Sequence, residues 1–537
     1  MCQTLLYEKI TLSSYDTIRY KDEKPEGLGS SSPFAMGLNA LVTRNVANLV
    51  RSLTLQGQWK EHDLREFSSA GRVPDDAMML NIAVRAAVDR CTGLESFKLV
   101  FREIHSLPGG LLTSRRWDLN TKLLSNVYSG LANLPKLQTL HIRFPSNRSP
   151  RPLAVLPGFP HLHSLTVTDI DPLCYPDDIA TTLFASPKLE TLKLHWSPRM
   201  RDVGEPSIQL QSYFRHNISA KKKLKIKHIA FHNLFAMASP EIKDVMDHSG
   251  LESFTILNSF GADDQAAPQS SLAIFLDSTW AHPPENLAQL KSIRHDKLSK
   301  KFARQLAGVY GLEKIYLVNA RHVPPSNGHQ PQSDPSPTST STSISHQSNE
   351  TTSSSRIAAN NSLRDLYLDN IMSNHGATLK HLLLSDRWPL PNKLVARLFN
   401  ACPNITQLAI ALEFKDSFGG MRMLLPFLKK IRAVRVLMPS ASLESHDYVK
   451  RFECLTNTTN DKHEEHIGRE LAGDDFPHLR YVGMDWKIWE IGRGSYEEKV
   501  VNEHGEEETV LRRKVKRVGR DAVKDVEIWK MDSMDVV

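Results

Sequence analysis

PKLQTLHI, at residues 135–142, sets a proline two residues ahead of a Leu-x-x-Leu-x-Ile phrase, and the phrase returns along the chain. Close copies are PHLHSLTV from Pro160, PKLETLKL from Pro187, PNITQLAI from Pro403 and PHLRYVGM from Pro477. Relaxed to apolar-x-x-apolar-x-apolar, it also begins at Val50, Leu94, Ile226, Leu251, Leu312, Leu363, Leu379 and Ile431. Side chains alternate on a short strand, so the fourth and sixth positions share one face, and the first turns inward where the strand starts. Three apolar groups cannot make a core alone, so each copy must stack on its neighbours.

Helical stretches lie between the copies. Residues 75–90 place Leu80, Val84 and Ala87 on one face. Ser239, Pro240 and Glu241 read as N-cap, first-turn proline and first-turn acid, with Gly250 as the stop. Residues 391–401 repeat the theme with Leu394, Leu398 and Phe399. The proline ahead of a strand ends the preceding helix and sits where its missing N–H costs little. From Leu137 to Leu162 is 25 residues, Leu162 to Leu189 is 27, Ile226 to Leu251 is 25, and Leu379 to Ile405 and Ile405 to Ile431 are both 26. These fall within the about 20 to 29 of leucine-rich repeats. The fold they predict is α/β: a right-handed leucine-rich-repeat solenoid, with a curved parallel sheet on the concave face and helices outside. One interval does not fit, because Leu363 to Leu379 is only 16 residues, too short for a repeat with a helix.

The chain has 537 residues, 40% of them hydrophobic, enough for a large core. Its mean hydropathy is −0.35. It lacks the roughly 18 to 20 unbroken apolar residues of a membrane helix, so no membrane association is expected. The start, MCQTLLYEKITLSS, has no basic region leading into an apolar core and does not read as a secretory signal. Five dispersed cysteines without a CxxC pair fit a reduced compartment, cytoplasmic and/or nuclear. The net charge of +7 is spread along the chain and does not single out nucleic acid as a partner.

Catalytic signatures are not evident. There is no P-loop and no Gly-x-Ser-x-Gly, and GRGS at Gly492 lacks the third glycine of a dinucleotide site. His463-Glu-Glu-His466 is one residue short of a zinc-protease motif and reads as a solvated loop. No cofactor, no metal and no enzymatic activity are expected. The densest basic run, Lys221 to Lys227, reads as a solvated approach to the strand beginning at Ile226; nucleic acid is its sharper alternative.

Two segments differ in character. Residues 324–361 are rich in Ser, Thr and Pro, lack apolar periodicity and predict a disordered loop. They split the solenoid into 47–323 and 362–489, with an N-terminal cap over 1–46 and a C-terminal cap over 490–537. Alternation over 510–518 predicts an exposed strand, paired as a hairpin with the acids ahead of it. DVEIWKM from Asp525 reads as a further strand whose tryptophan covers the open end of the solenoid. The basic residues from Arg512 to Arg517 also suit a nuclear import signal.

Positions three, five and seven of each copy point out of the concave face. They name Lys98, His141, Arg143, Lys193, His195, His228 and His232 in the first half, and Tyr316, Asp365, Tyr367 and Asp369 in the second. The first set is basic and histidine-rich and suits an acidic segment of a protein ligand. Tyrosines are frequent interface anchors.

The chain as a whole resembles the fungal F-box/leucine-rich-repeat proteins. The degenerate LPKLQTLHI-type repeats and the Ser/Thr-rich interruption carry the resemblance. So do LLYEKITLSS at 5–14, which looks like the stretch after an F-box, and GRDAVKDVEIWKMDSMDVV at 519–537, which looks like a C-terminal cap. The resemblance implies a substrate receptor of a cullin-RING ubiquitin ligase, whose F-box docks a Skp-type adaptor while the repeats hold the substrate. The F-box itself is missing or truncated ahead of residues 1–46, so adaptor and cullin are expected partners only if one is present. A stand-alone protein-binding scaffold and a nucleic-acid or ribonucleoprotein binder remain as alternatives.

Overall fold

The computed structural model describes residues 6–14, 20–21, 24–25, 32–57, 75–100, 125–143, 156–170, 176–197, 208–232, 236–237, 245–257, 287–296, 298–318, 349–413, 417–438, 460–473, 475–485, 487–501 and 507–532. Sixteen strands form one sheet in chain order. They are β1 (Lys9–Ser14), β2 (Ser52–Gly57), β3 (Ser96–Val100), β4 (Thr139–Arg143), β5 (Ser164–Ile170), β6 (Thr191–Trp196), β7 (His228–His232), β8 (Ser253–Leu257), β9 (Ser292–His295), β10 (Lys314–Leu317), β11 (His381–Leu383), β12 (Gln407–Ala411), β13 (Ala433–Leu437), β14 (Tyr481–Met484), β15 (Lys487–Val501) and β16 (Glu507–Val518). Pairing is parallel from β1 to β14, then antiparallel through β15 and β16. This is the solenoid that the repeated phrase predicts.

The phrase explains the core. In the copy at 135–142, Leu137, Leu140 and Ile142 are all buried, as are their counterparts Leu189, Leu192 and Leu194. Helices cover this face: α1 (Pro33–Thr43), α2 (Asp75–Arg90), α3 (Ser125–Ala132), α4 (Pro176–Ala185), α5 (Lys300–Leu306), α6 (Asn349–Asn374), α7 (Asn392–Ala401), α8 (Ser417–Leu424) and α9 (Asn460–Leu471). Val84 and Ala87 of α2 and Val395, Leu398 and Phe399 of α7 join the strand residues in one continuous core. Ser32 and Ser299 cap α1 and α5, accepting the N–H of Ala35 at 3.2 Å and of Phe302 at 3.1 Å.

Repeats are tied to each other at the strand starts. The carbonyl of the second position accepts two N–H groups from the next repeat. Gln138 and Thr139 both donate to Glu95 at 2.9 and 3.0 Å, and Arg480 and Tyr481 both donate to Arg432 at 2.8 and 3.1 Å. Side chains at the same position alternate in charge along the rim, pairing Lys227 with Glu190 at 2.8 Å, Lys291 with Glu252 at 3.2 Å and Lys380 with Glu313 at 2.8 Å.

The structure corrects several expectations. Leu363 begins no strand: it lies in α6, which starts at Asn349, inside the segment expected to be disordered. Arg364, Tyr367, Leu368, Ile371 and His375 are buried at a helical spacing, and Asn370 and Asn374 tie α6 to α5 through the carbonyls of Ala303 and Ala307. The short interval from Leu363 to Leu379 is thereby explained. Strand β9 is additional, because LKSIRH from Leu290 carries His295 where the phrase wants an apolar residue; His295 is buried and stacks on Phe302 at 4.3 Å. A hairpin forms, but not with the acids ahead of residue 510: Glu507 and Glu508 belong to β16 itself, and its partner is β15. DVEIWKM is no strand. It contains the short helix α10 (Glu527–Lys530) and lies across the concave face rather than over the end of the solenoid. His463 lies on α9, buried against Trp489 at 5.3 Å, and not in a solvated loop. The helix expected from Ser239 falls mainly outside the described residues, as does the interruption from 324 to 348.

Candidate interaction surface

Because the strands are parallel and in register, equivalent positions form rows across the concave face. The fifth positions run Lys98, His141, Thr166, Lys193, Ala230, Thr255 and Arg294. The same row continues with Tyr316, Leu383, Ala409, Arg435 and Gly483. The third positions run Ser96, Thr139, Ser164, Thr191, His228, Ser253 and Ser292. The third-position row goes on through Lys314, His381, Gln407 and Ala433. The face is thus hydroxylated and basic as far as β9, and from β10 to β13 mixes apolar residues with Lys314, His381, Gln407 and Arg435.

The C-terminal segment covers this mixed part. Val523, Ile528 and Trp529 pack with Tyr316, Leu383, Ala409, Ala411, Ala433 and Leu437 in a second apolar cluster on the side opposite the helices. Polar groups hold the segment in place. Glu527 receives Lys314 Nζ at 2.9 Å, His381 Nδ1 at 2.7 Å and the Tyr316 hydroxyl. Gln407 accepts the Ile528 N–H at 3.2 Å. Arg435, fully buried, donates to the Ile528 carbonyl at 2.9 Å and pairs with Asp532 at 2.9 Å. Arg294 donates to the Met531 carbonyl at 2.8 Å. Burial opposes ionisation of Glu527, but the hydrogen bonds from His381, Tyr316 and Lys314 outweigh it and hold the carboxyl well below the usual range.

The basic part has its own electrostatics. Burial, then Lys98 and Lys193, push His141 down to about 4, so it is neutral at pH 7. Lys193 is lowered by burial and then by the cations Lys530, Arg294 and Lys98. Arg294 is lowered to about 10 by burial, against the pull of Asp532 and Asp296. A cavity of about 350 Å³ lies here, bounded by Lys193, His228, Arg294 and Tyr316 from the strands and by Glu527 and Lys530 from the C-terminal segment.

The residues singled out from sequence divide three ways. Lys98, His141, Lys193, His195 and His228 lie on the basic part, with Lys98 and His228 exposed. Arg143 is there too but is bound to Asp169, which sits at a strand irregularity with φ 55°. His232 is buried, edge-on to His195 at 6.3 Å and 3.5 Å from Arg294. Tyr316 is on the face but beneath the C-terminal segment. Asp365, Tyr367 and Asp369 are not on the face at all, because α6 carries them on the helical side. Tyr367 packs between Phe302 and Trp388, and Asp369 pairs with Arg397.

Arg294, Lys314, Arg435, Glu527 and Lys530 were missed. Arg294 escaped with its strand, whose phrase ends in histidine. Lys314 is a third-position residue of the copy at Leu312 and was legible there. Arg435 is likewise the fifth-position residue of the copy at Ile431 and was legible there. Nothing local marks Glu527 and Lys530, which reach the face from far along the chain, as Glu527 does at Lys314 with a separation of 213.

The basic motifs are absorbed by the fold. Lys222 donates to the Phe184 carbonyl at 2.7 Å and lies over its ring, and Lys227 is in the rim ladder. Arg512 pairs with Glu498 at 2.8 Å, and buried Arg513 donates to the carbonyls of Phe476 at 2.7 Å and Leu479 at 2.9 Å. Among the described residues no cluster of His, Cys, Asp and Glu could hold a metal ion, and no helix is long and apolar enough to cross a membrane.

No family model and no curated protein matches this chain. Among solved structures it is similar to "Crystal structure of Rad7 and Elc1 complex in yeast", at 10% identity and a TM-score of 0.34, over 75% of this chain and 82% of that one. A likeness at that level carries no weight, and the fold rests on the strand register of the sixteen-stranded sheet.

Proposed function

We propose that this protein is a non-catalytic recognition scaffold that seats a protein ligand on the basic part of its concave face. The observation that carries this reading is the division of the face. Where the C-terminal segment lies, Tyr316, Leu383, Ala409, Ala411, Ala433 and Leu437 give it an apolar bed while Lys314, His381, Gln407 and Arg435 anchor it. From Lys98 to His228, before Arg294 meets the Met531 carbonyl, the rows are mainly hydroxyls, lysines and histidines. An acidic segment complements that surface. The setting is substrate recruitment in a cullin-RING ligase, supported by the resemblance of the repeats and end segments to fungal F-box/leucine-rich-repeat proteins. A Skp-type adaptor and a cullin are partners in that setting if an F-box is present.

Affinity purification of the tagged protein from its native locus tests both levels. Stoichiometric adaptor and cullin would support the ligase setting; other proteins without them would leave a stand-alone scaffold. For any co-purifying ligand, Lys98→Glu and Lys193→Glu should each weaken binding about tenfold, whereas Asp365→Lys should leave it unchanged, because α6 lies on the other side of the sheet. Equal effects of all three would rule out the concave face as the ligand surface.

A further inference from the structure

We propose that the C-terminal segment is a working part of the ligand site: through Lys530 it supplies one wall of a cleft that accepts carboxylates from an acidic segment of a protein partner. This rests on the concave-face function proposed for the protein and sharpens it to one place, the seam between the two parts of the face.

The cleft is the cavity of about 350 Å³ bounded by β6 to β10 and by the residues around Lys530. That is the size range of ligand clefts. Three acids reach its lining, Glu252, Glu313 and Glu527, and each is already held by a lysine: Lys291 at 3.2 Å, Lys380 at 2.8 Å and Lys314 at 2.9 Å. Arg294 is likewise offset by Asp532 and Asp296. Lys530 meanwhile lines the same cavity as Lys193 and brings a cation from the C-terminal segment toward it, and Lys98 acts on the same group. Like charges drawn together in a partly dehydrated cleft repel one another, and an anion placed among them offsets that cost. Neutral donors stand beside them: Ser253 and Ser292 are adjacent third-position residues on the same lining.

Two observations favour carboxylates on a protein over a nucleic acid. The face already captures a carboxylate within the chain, where Glu527 is gripped by Lys314, Tyr316 and His381. Binding of single strands relies on successive aromatic platforms for base stacking, and of the rings on this lining Tyr316 and His232 are buried, leaving His228 alone exposed.

The test uses the full chain and a fluorescent deca-glutamate peptide, read by fluorescence anisotropy at several salt concentrations. Lys530→Glu and Lys193→Glu should each weaken the probe at least tenfold and make its salt dependence shallower. Lys524→Glu, an exposed change of equal charge on the same segment but away from the cleft, should change affinity less than twofold. Thermal denaturation separates loss of the site from loss of the fold, since Lys530→Glu relieves repulsion and should leave the melting temperature unchanged or higher. If Lys530→Glu behaves like Lys524→Glu while Lys98→Glu still weakens binding, the cleft is overturned and the concave-face reading stands. If no variant affects the probe, or the probe does not bind, both the cleft and the acidic-ligand reading fall. A single-stranded oligonucleotide that binds more tightly than the peptide, with the same dependence on Lys530, would overturn the carboxylate assignment.

Discussion

Glu527 shows how much one residue decides here. Its carboxylate gathers a lysine, a tyrosine and a histidine from two neighbouring strands, and so fixes where the C-terminal segment lies. Glu527→Gln keeps the shape and removes the charge. Hydrogen bonds to charged groups are worth about 1.5–3 kcal/mol, so a loss of about 2 kcal/mol is expected at pH 7 by chemical denaturation. The sign with pH comes from the lowered carboxyl. A folded-state value below the unfolded one, about 4.3, gives stabilisation that is present above that pH and lost as pH falls toward the folded value. The wild-type protein should therefore lose protection of its C-terminal amides from hydrogen exchange below about pH 4, and Glu527→Gln should show little of that change. Equal acid sensitivity in both would remove Glu527 from the anchoring of the segment.

At the scale of elements, the instructive pair is α6 and the C-terminal segment. LRDLYL from Leu363 satisfies the strand phrase as well as LEKIYL from Leu312 does. The residues beyond each phrase separate them: after Leu363, burial continues through Ile371 to His375 at helical spacing, and side-chain amides reach the carbonyls of α5. A six-residue window cannot see that continuation. The C-terminal segment fails in the same direction for a different reason: Val526, Ile528 and Trp529 suggest a half-buried strand, while the covered sheet face selects a single turn of helix. Trp529 fits closely: a Cβ on Gly483 would stand 2.5 Å from its ring. Trp529→Ala should cost about 3–5 kcal/mol, the range for large aromatic residues truncated in a core, and should make the segment sensitive to protease while the sheet persists. Unchanged proteolysis would mean that the polar anchors suffice.

For the whole molecule, stability is built repeat by repeat, because each strand start hydrogen-bonds to the one before it. The rim charges alternate along the same line; exposed pairs like these are worth about 0–1 kcal/mol each and serve register more than stability. The concave face is the asymmetric feature. Removing everything after Val518 would uncover Leu383, Ala409, Ala411 and Leu437. Far-UV circular dichroism should be retained, while binding of a hydrophobic dye should rise severalfold and the protein should self-associate. No rise in dye binding would show that the apolar part of the face is covered by some other portion of the chain.

The solenoid is determined by the sequence because its determinants are local and repeated. A proline, three apolar positions and an interval of 25 to 27 residues recur, and stacking is the one way such units bury their apolar sides. The outward placement of Lys98, His141, Lys193 and His228 comes from the same alternation. Only the tertiary structure assigned α6 to the helical side, removing Asp365, Tyr367 and Asp369 from the face. Only it laid residues 523–532 over Tyr316 and placed Lys530 on the same cavity as Lys193. These outcomes depend on groups far apart in the chain meeting at a surface: Ile528 against Arg435, and Glu527 against Lys314 across 213 residues. Periodicity determines which face a side chain occupies, while long-range packing determines whether anything covers it.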